Sequence, residues 1–251
     1  IWSYQGAGGT VLNLYILASG TGSQFAAAIR SHGATGYTQT NGTTVAKVGT
    51  WYHVAFSRSS GTTKLFVNGT QEGSTQTSQT QNIQTPSSPS IGGYSTGSSE
   101  YFTGHISNIR VIKGNAIYTS NFTPSTTPLT AIANTSLLTC QSNRFKDNSS
   151  NNFALTVSGD VKVQKFSPFR SITPTGNYTA NTYSGSVYLD GSGDTLSVAT
   201  NAAIQLTGDF TIEFWVYQIA DGMVMGSDSG TNSDYFGVSS TAIYLAIAYP
   251  S

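Results

Sequence analysis

Hydrolysis of a glycoside by general acid–base chemistry needs two carboxyl groups held at a set separation across the scissile bond. The glutamates of this chain are Glu72, Glu100 and Glu213, and none has a second acid within three residues along a strand-like run. Asp209 and Glu213 are four residues apart and share strand parity, but Phe210 and Thr211 leave Asp209 at the strand entrance. Nucleophilic chemistry fares no better. Cys140 is the one cysteine, and His32, His53 and His105 are scattered through the chain. No Ser-His-Asp constellation, zinc spacing, phosphate-cradling glycine loop or dinucleotide fingerprint is present. The expectation is a protein with no catalytic residue.

Two kinds of binding chemistry remain. Asp228-Ser229-Gly230-Thr231-Asn232-Ser233-Asp234 sets oxygen ligands at near-alternating positions, as a hard cation prefers. Asp228, Asn232 and Asp234 are therefore a weak Ca²⁺ candidate. The run lacks the bidentate Glu and the spacing of an EF-hand, and a solvated hairpin loop is the preferred reading. No other cofactor is implied. Tyr94, Tyr101, Tyr235 and Tyr249 stand near loop-like sequence, where an aromatic face can stack on a sugar ring. Each also reads as an ordinary strand-rim tyrosine, and Trp51 and Trp215 read as core or rim aromatics. Asn-x-Ser/Thr sequons begin at Asn41, Asn68, Asn121, Asn134, Asn148 and Asn177, as expected by chance in so Ser- and Thr-rich a chain.

The elements that must position such residues are strands. Phe210, Ile212, Phe214 and Val216 alternate with Thr211, Glu213, Trp215 and Tyr217, the period of a strand with one face in a core. Tyr52, Val54 and Phe56 alternate with Trp51, His53 and Ala55. Ser107, Ile109 and Val111 alternate with Asn108, Arg110 and Ile112, and Leu12, Leu14 and Ile16 with Val11, Asn13 and Tyr15. No segment holds a helical period over three turns, and the Ala26–Ala28 run lies in β context. Asn68-Gly69 supplies the two positive-φ residues of a type I′ turn. Residues 50–70 are predicted to form a hairpin turning there, with Ser59-Ser60-Gly61 closing the stretch from Trp51 to Val67. Asp190 to Asp194 is a further turn. Thr70 to Ser90 reads as a long polar loop, and residues 167–185 as a connector.

Composition agrees with a folded all-β chain. Charged residues are only 9%, while Ser, Thr and Asn supply 86 of the 251 residues. Aromatic residues reach 12%, which separates the chain from disordered sequences of similar polarity. Its surface is covered by hydroxyl and amide groups. Net charge is zero, but residues 1–170 hold all 11 basic residues against four acids, and residues 171–251 hold seven acids and no base. No basic patch interleaved with aromatics is present, so nucleic acid is not an expected partner. A lone cysteine forms no internal disulfide. No apolar stretch has the length of a membrane span. The start at Ile1-Trp2-Ser3 and the end at Pro250-Ser251 read as a piece of a longer polypeptide.

A long repeat is visible. Residues 222–251 laid on 2–31 without gaps give seven identities in 30: Gly226, Tyr235, Ser239, Thr241, Ala246, Ala248 and Ser251 fall on their counterparts 220 residues earlier. The expected organisation is tandem units cut out of phase. Residues 1–134 are the C-terminal part of one unit and 135–251 the N-terminal part of the next.

Trp51 to Arg58 followed by Lys64 to Gly69 resembles the central hairpin of laminin-G-like domains. Ile91-Gly92-Gly93 with Tyr101 to Val111 resembles the strand that follows it, and Gly185 to Gly191 with Asp209 to Val216 resembles the opening strands. In that family the opening strands precede the hairpin; here they follow it, as an out-of-phase cut requires. Leu137 to Phe145, Asp147 to Asn152 and Gly159 to Val161 resemble the lead-in of repeated units in structural and fibre proteins of marine tailed phages, and Tyr118 to Pro124 resembles their closing segment. The resemblance implies an antiparallel jelly-roll β-sandwich of the concanavalin A-like type. It further implies a non-catalytic structural or adhesive protein at a virion surface, touching glycan or a neighbouring structural protein. A secreted bacterial lectin or adhesin is the alternative, and self-association is compatible with either.

Overall fold

The computed structural model describes residues 3–4, 10–19, 22–31, 37–80, 82–83, 89–93, 101–169, 185–220, 235–239 and 242–246. Their strands are β1 (Ser3–Tyr4), β2 (Thr10–Ser19), β3 (Gly22–Ser31), β4 (Tyr37–Val45), β5 (Trp51–Ser59), β6 (Thr62–Val67), β7 (Thr70–Gln76), β8 (Ser90–Ile91) and β9 (Thr103–Lys113). They continue with β10 (Thr135–Thr139), β11 (Leu155–Ser158), β12 (Lys162–Gln164), β13 (Ser186–Asp190), β14 (Thr195–Val198), β15 (Phe210–Ala220), β16 (Tyr235–Ser239) and β17 (Ala242–Ala246). A single 3-10 turn at Ala202–Ile204 is the sole helical element among the described residues.

Two antiparallel sheets form a sandwich. One runs β11-β14-β8-β1-β2-β3-β4, and the other β12-β13-β9-β15-β5-β6-β7 with β10 also beside β9. β16 and β17 form a separate two-stranded sheet. Between the large sheets lies the core, with Phe25, Phe56, Leu65, Phe102, Ile109, Leu137, Leu189, Leu196, Phe210 and Phe214 among its members. The alternation of β15 is realised: Phe210, Ile212, Phe214 and Val216 face inward, and burying each contributes roughly 1.5–3 kcal/mol.

The strands from the two parts of the chain interleave. β15 lies between β5 and β9, pairing Phe214 with Val54 on one side and Ile212 with Val111 on the other. β13 continues the same sheet beyond β9, and β14 joins β8 in the opposite one. Strands from residues 186–220 thus complete sheets begun by strands from residues 3–113.

Three local expectations need correction. The hairpin that begins at Trp51 turns at Ser60-Gly61 (φ 47° and 75°), pairing Ser59 with Thr62. Asn68-Gly69 (φ 49° and 79°) turns the next hairpin, from β6 into β7. β7 occupies part of the stretch expected to be loop. Its polar, mostly exposed side chains carry no apolar alternation, so its strand character comes from the β6 ladder. Lastly, the Ser107–Ile109–Val111 alternation is interrupted at Asn108 (φ 54°), where the β9–β15 register shifts. A bulge adds one residue and changes strand phase. Ser107 therefore sits opposite Trp215 on the outer face, while Ile109 and Val111 point into the core.

Candidate functional site

The outward positions of the eight-stranded sheet bring together Glu213, Arg110, His53 and His105. In β15 those positions are Thr211, Glu213, Trp215 and Tyr217, the residues between the core positions. Cross-strand register then sets their neighbours. Glu213 is opposite Ala55 and Arg110, Trp215 opposite His53, and Tyr217 opposite both Trp51 and His105.

Glu213 is wholly buried. Its Oε1 accepts from Arg110 Nε at 2.7 Å and pairs with Nη2 at 2.5 Å. Its Oε2 accepts from the Tyr118 hydroxyl at 2.8 Å and lies 3.1 Å from His53 Nε2. Burial pushes this carboxyl up, but the His53 hydrogen bond and the Arg110 charge outweigh it and hold the group below the usual carboxylate range. The same cluster raises the Tyr118 phenol, through burial first and the neighbouring carboxylate second. Asp209 does not join Glu213: its Oδ1 accepts from the Ser60 backbone N–H at 2.7 Å, at the strand entrance.

The cover over Glu213 is the chain that leaves β9. Ile117 N–H donates to Thr211 Oγ1 at 3.0 Å, and Phe122 N–H donates to the Gly69 carbonyl at 2.9 Å. Tyr118 and Phe122 stack at 3.6 Å, with Phe122 edge-on to His53 and Phe66. Farther along, Leu129 N–H donates to Asn108 Oδ1 and the Thr130 carbonyl accepts from Arg110 Nη1, both at 2.8 Å. The residues that resemble a closing segment thus act as a strap across the sheet, and the strap passes close over the second hairpin turn. A Cβ on Gly69 would lie 2.0 Å from the Phe122 carbonyl oxygen, so only glycine admits the strap there.

Beside the strap, the outward row Tyr188–His105–Tyr217–Trp51 crosses β13, β9, β15 and β5 in register. Adjacent rings in the row are 5.1 to 5.8 Å apart. Phe166 lies over it, 4.8 Å from His105 and Tyr217 and 5.2 Å from Trp51, and is itself 41% exposed. Burial among these rings lowers the His105 pKa to about 4, so the imidazole is neutral near pH 7. Phe169 packs similarly against Trp215. Trp51 and Trp215 are accordingly half-buried aromatics on the outer face of the sheet.

Among the described residues, three acids meet elsewhere. Carboxylate oxygens of Asp160, Asp190 and Asp194 lie within 4.8 Å of one another. Asp194 is buried and spends both oxygens on backbone, accepting from Asp160 N–H at 2.7 Å and Asp190 N–H at 3.0 Å. Lys162 pairs with Asp160 at 2.7 Å. The group ties the turn before β12 to the β13–β14 turn.

Of the residues singled out in sequence, Asp228, Asn232, Asp234, Tyr94 and Tyr249 lie outside the described residues. Tyr235 begins β16, and Tyr101 is half-buried just before β9. The aromatic row does not include Tyr101. Tyr188, His105, Tyr217 and Phe166 were not marked by sequence reasoning. Their signal was the outward parity of three strands, which becomes a row only once strand order is known.

Residues 2–116 match the protein-family model described as the Concanavalin A-like lectin/glucanases superfamily, in its laminin-G form. The described residues form an all-β antiparallel sandwich, a fold consistent with the concanavalin A-like type. No curated protein and no solved structure matches it. Among the described residues, no helix is long and apolar enough to cross a membrane.

Proposed function

We propose that this chain is a non-catalytic structural and adhesive surface protein, a virion fibre or decoration protein whose sandwich is held out for contact with glycan or neighbouring protein. The observation that carries the reading is the sealing of Glu213. The carboxylate best placed on a sheet face for hydrolysis has both oxygens occupied and lies beneath a strap. Laminin-G-like and concanavalin A-like domains fit carbohydrate-binding or adhesive roles, which supports the same reading. The virion context is supported by the likeness of residues 118–124, 137–145, 147–152 and 159–161 to repeated phage units, and by a surface rich in hydroxyl and amide groups. Contact falls on the aromatic row with Phe166, which offers apolar area beside half-exposed tyrosines.

The test is a glycan array probed with the full chain, with Ca²⁺ and with chelator, beside a variant carrying Trp51→Ala and Phe166→Ala. Glycan binding weakened tenfold or more in the variant supports adhesion through the row. Absence of glycan binding in both conditions leaves protein contact within an assembly. Turnover of a β-glucan that disappears in Glu213→Gln would overturn the non-catalytic reading.

A further inference from the structure

The β16–β17 hairpin forms a sheet of its own, and its register repeats one found elsewhere in the chain. Each of its pairs is a β2–β3 pair moved by 220 residues: Tyr235↔Ala246 corresponds to Tyr15↔Ala26, Phe236↔Leu245 to Ile16↔Phe25, and Ser239↔Ala242 to Ser19↔Gly22. This is the offset at which residues 222–251 align with 2–31. Register in a hairpin follows from its turn and its apolar pattern, and a one-residue slip would turn every side chain to the opposite face. The apolar pattern is repeated in part. The inward residues Ile16, Phe25 and Ala27 of the first hairpin correspond to Phe236, Leu245 and Ile247, whereas inward Leu14 corresponds to Asp234. The sequence match and the pairing match fall at one offset, as expected of one structural part present twice.

We infer that β16–β17 is a second, interchangeable copy of β2–β3, and that the surface it fits is the edge of β4 in its own sandwich. In the structure β3 holds that edge, pairing Ala26 with Asn41 and Ala27 with Thr40. One place therefore has two claimants. A free two-stranded hairpin is marginal in water, so whichever copy is outside the sandwich gains by entering it. The covalent route permits the exchange. β15 is anchored in the facing sheet, and the 14 residues from 221 to 234 reach roughly 45 Å when extended, against about 10 Å between packed sheets. Tethering gives the second hairpin a high effective concentration at its own β4, which favours that site over the β4 of another copy.

Disulfide trapping in the full chain tests this. Asn41→Cys with Ala26→Cys reports the first hairpin, and Asn41→Cys with Ala246→Cys reports the second; Cys140 is buried and does not compete. Phe25→Asp places a carboxylate in the core and expels the first hairpin. The expected result is loss of the 26–41 disulfide, a gain of at least tenfold in the 41–246 disulfide within monomers at every concentration, and a retained cooperative melt. In the chain without Phe25→Asp the 41–246 pair should accumulate slowly as β2–β3 opens. Absence of the 41–246 disulfide in both backgrounds, while the 26–41 control closes fully, overturns the equivalence. A 41–246 disulfide confined to covalent dimers and lost on dilution overturns the assignment to the chain's own β4.

Discussion

Changing Glu213 to Gln removes the anion from a buried site that holds the Arg110 guanidinium. The carboxylate accepts two contacts from Arg110 on Oε1 and those of Tyr118 and His53 on Oε2. A carboxamide keeps the shape but has one acceptor oxygen and one donor nitrogen, so either Arg110 faces a donor or Tyr118 must reverse its hydroxyl. The larger effect is charge. Removing one partner of a buried pair leaves the other uncompensated, at about 3–5 kcal/mol. For a chain of this size, roughly 2–4 °C per kcal/mol lowers the melting temperature by about 10 °C. Calorimetry or urea melts at pH 7 read the loss. Pairing the change with Arg110→Met should cost no more than the worse single variant, because both charges then leave together. Folding lowers the Glu213 pKa, so its contribution is full above the ordinary carboxylate range and is lost as pH falls through the folded value. Glu213→Gln should therefore flatten the acid limb of the stability curve. A melting temperature within about 2 °C of the parent, with additive single effects in the double variant, would refute the account of Glu213 as the electrostatic centre of the strap.

The His105 pKa is lowered in the fold, so the unfolded chain binds the extra proton between about pH 6.5 and 4, and stability should fall as pH drops through that window. The loss is about 1–2 kcal/mol after allowing for solvent screening of a partly covered ring, and should vanish in His105→Gln when urea melts at pH 7 and 4.5 are compared. Gly69→Ala meets the Phe122 carbonyl at a positive φ and should cost about 2 kcal/mol or more, whereas Gly114→Ala has no atom within 4 Å and should cost about 1 kcal/mol, for its positive φ alone; equal losses in thermal melts would refute the close approach of the strap. Cys140 is buried and its thiol is pushed up to about 12, so a thiol reagent should label it in denaturant and not in the native chain.

Strand character was legible in β2, β5, β9 and β15, where apolar and other residues alternate along the run. The period of two in Phe210–Val216 and Tyr52–Phe56 follows directly from the pleat, and Asn68-Gly69 marks a turn because few other residues tolerate two positive φ values. β7 was not legible, since its side chains are polar on both faces and its pairing is supplied by β6. The bulge at Asn108 was hidden for a related reason: a phase shift between Ile106 and Ile109 shows only when the partner strands are known.

The candidate site divides in the same way. Glu213, His53, Arg110 and Tyr118 are ordinary residues in four separate stretches of sequence, and nothing in their spacing announces one another. By itself the sequence determined the all-β class, the inward faces of β5 and β15, several turns and a 220-residue echo, because these depend on neighbours along the chain. Only the tertiary structure decided that β15 lies between β5 and β9, that Glu213 meets Arg110 beneath a strap, and that four aromatic residues form one row. Cross-strand neighbours are chosen by the burial of a common core, and that choice is made between residues far apart in the sequence.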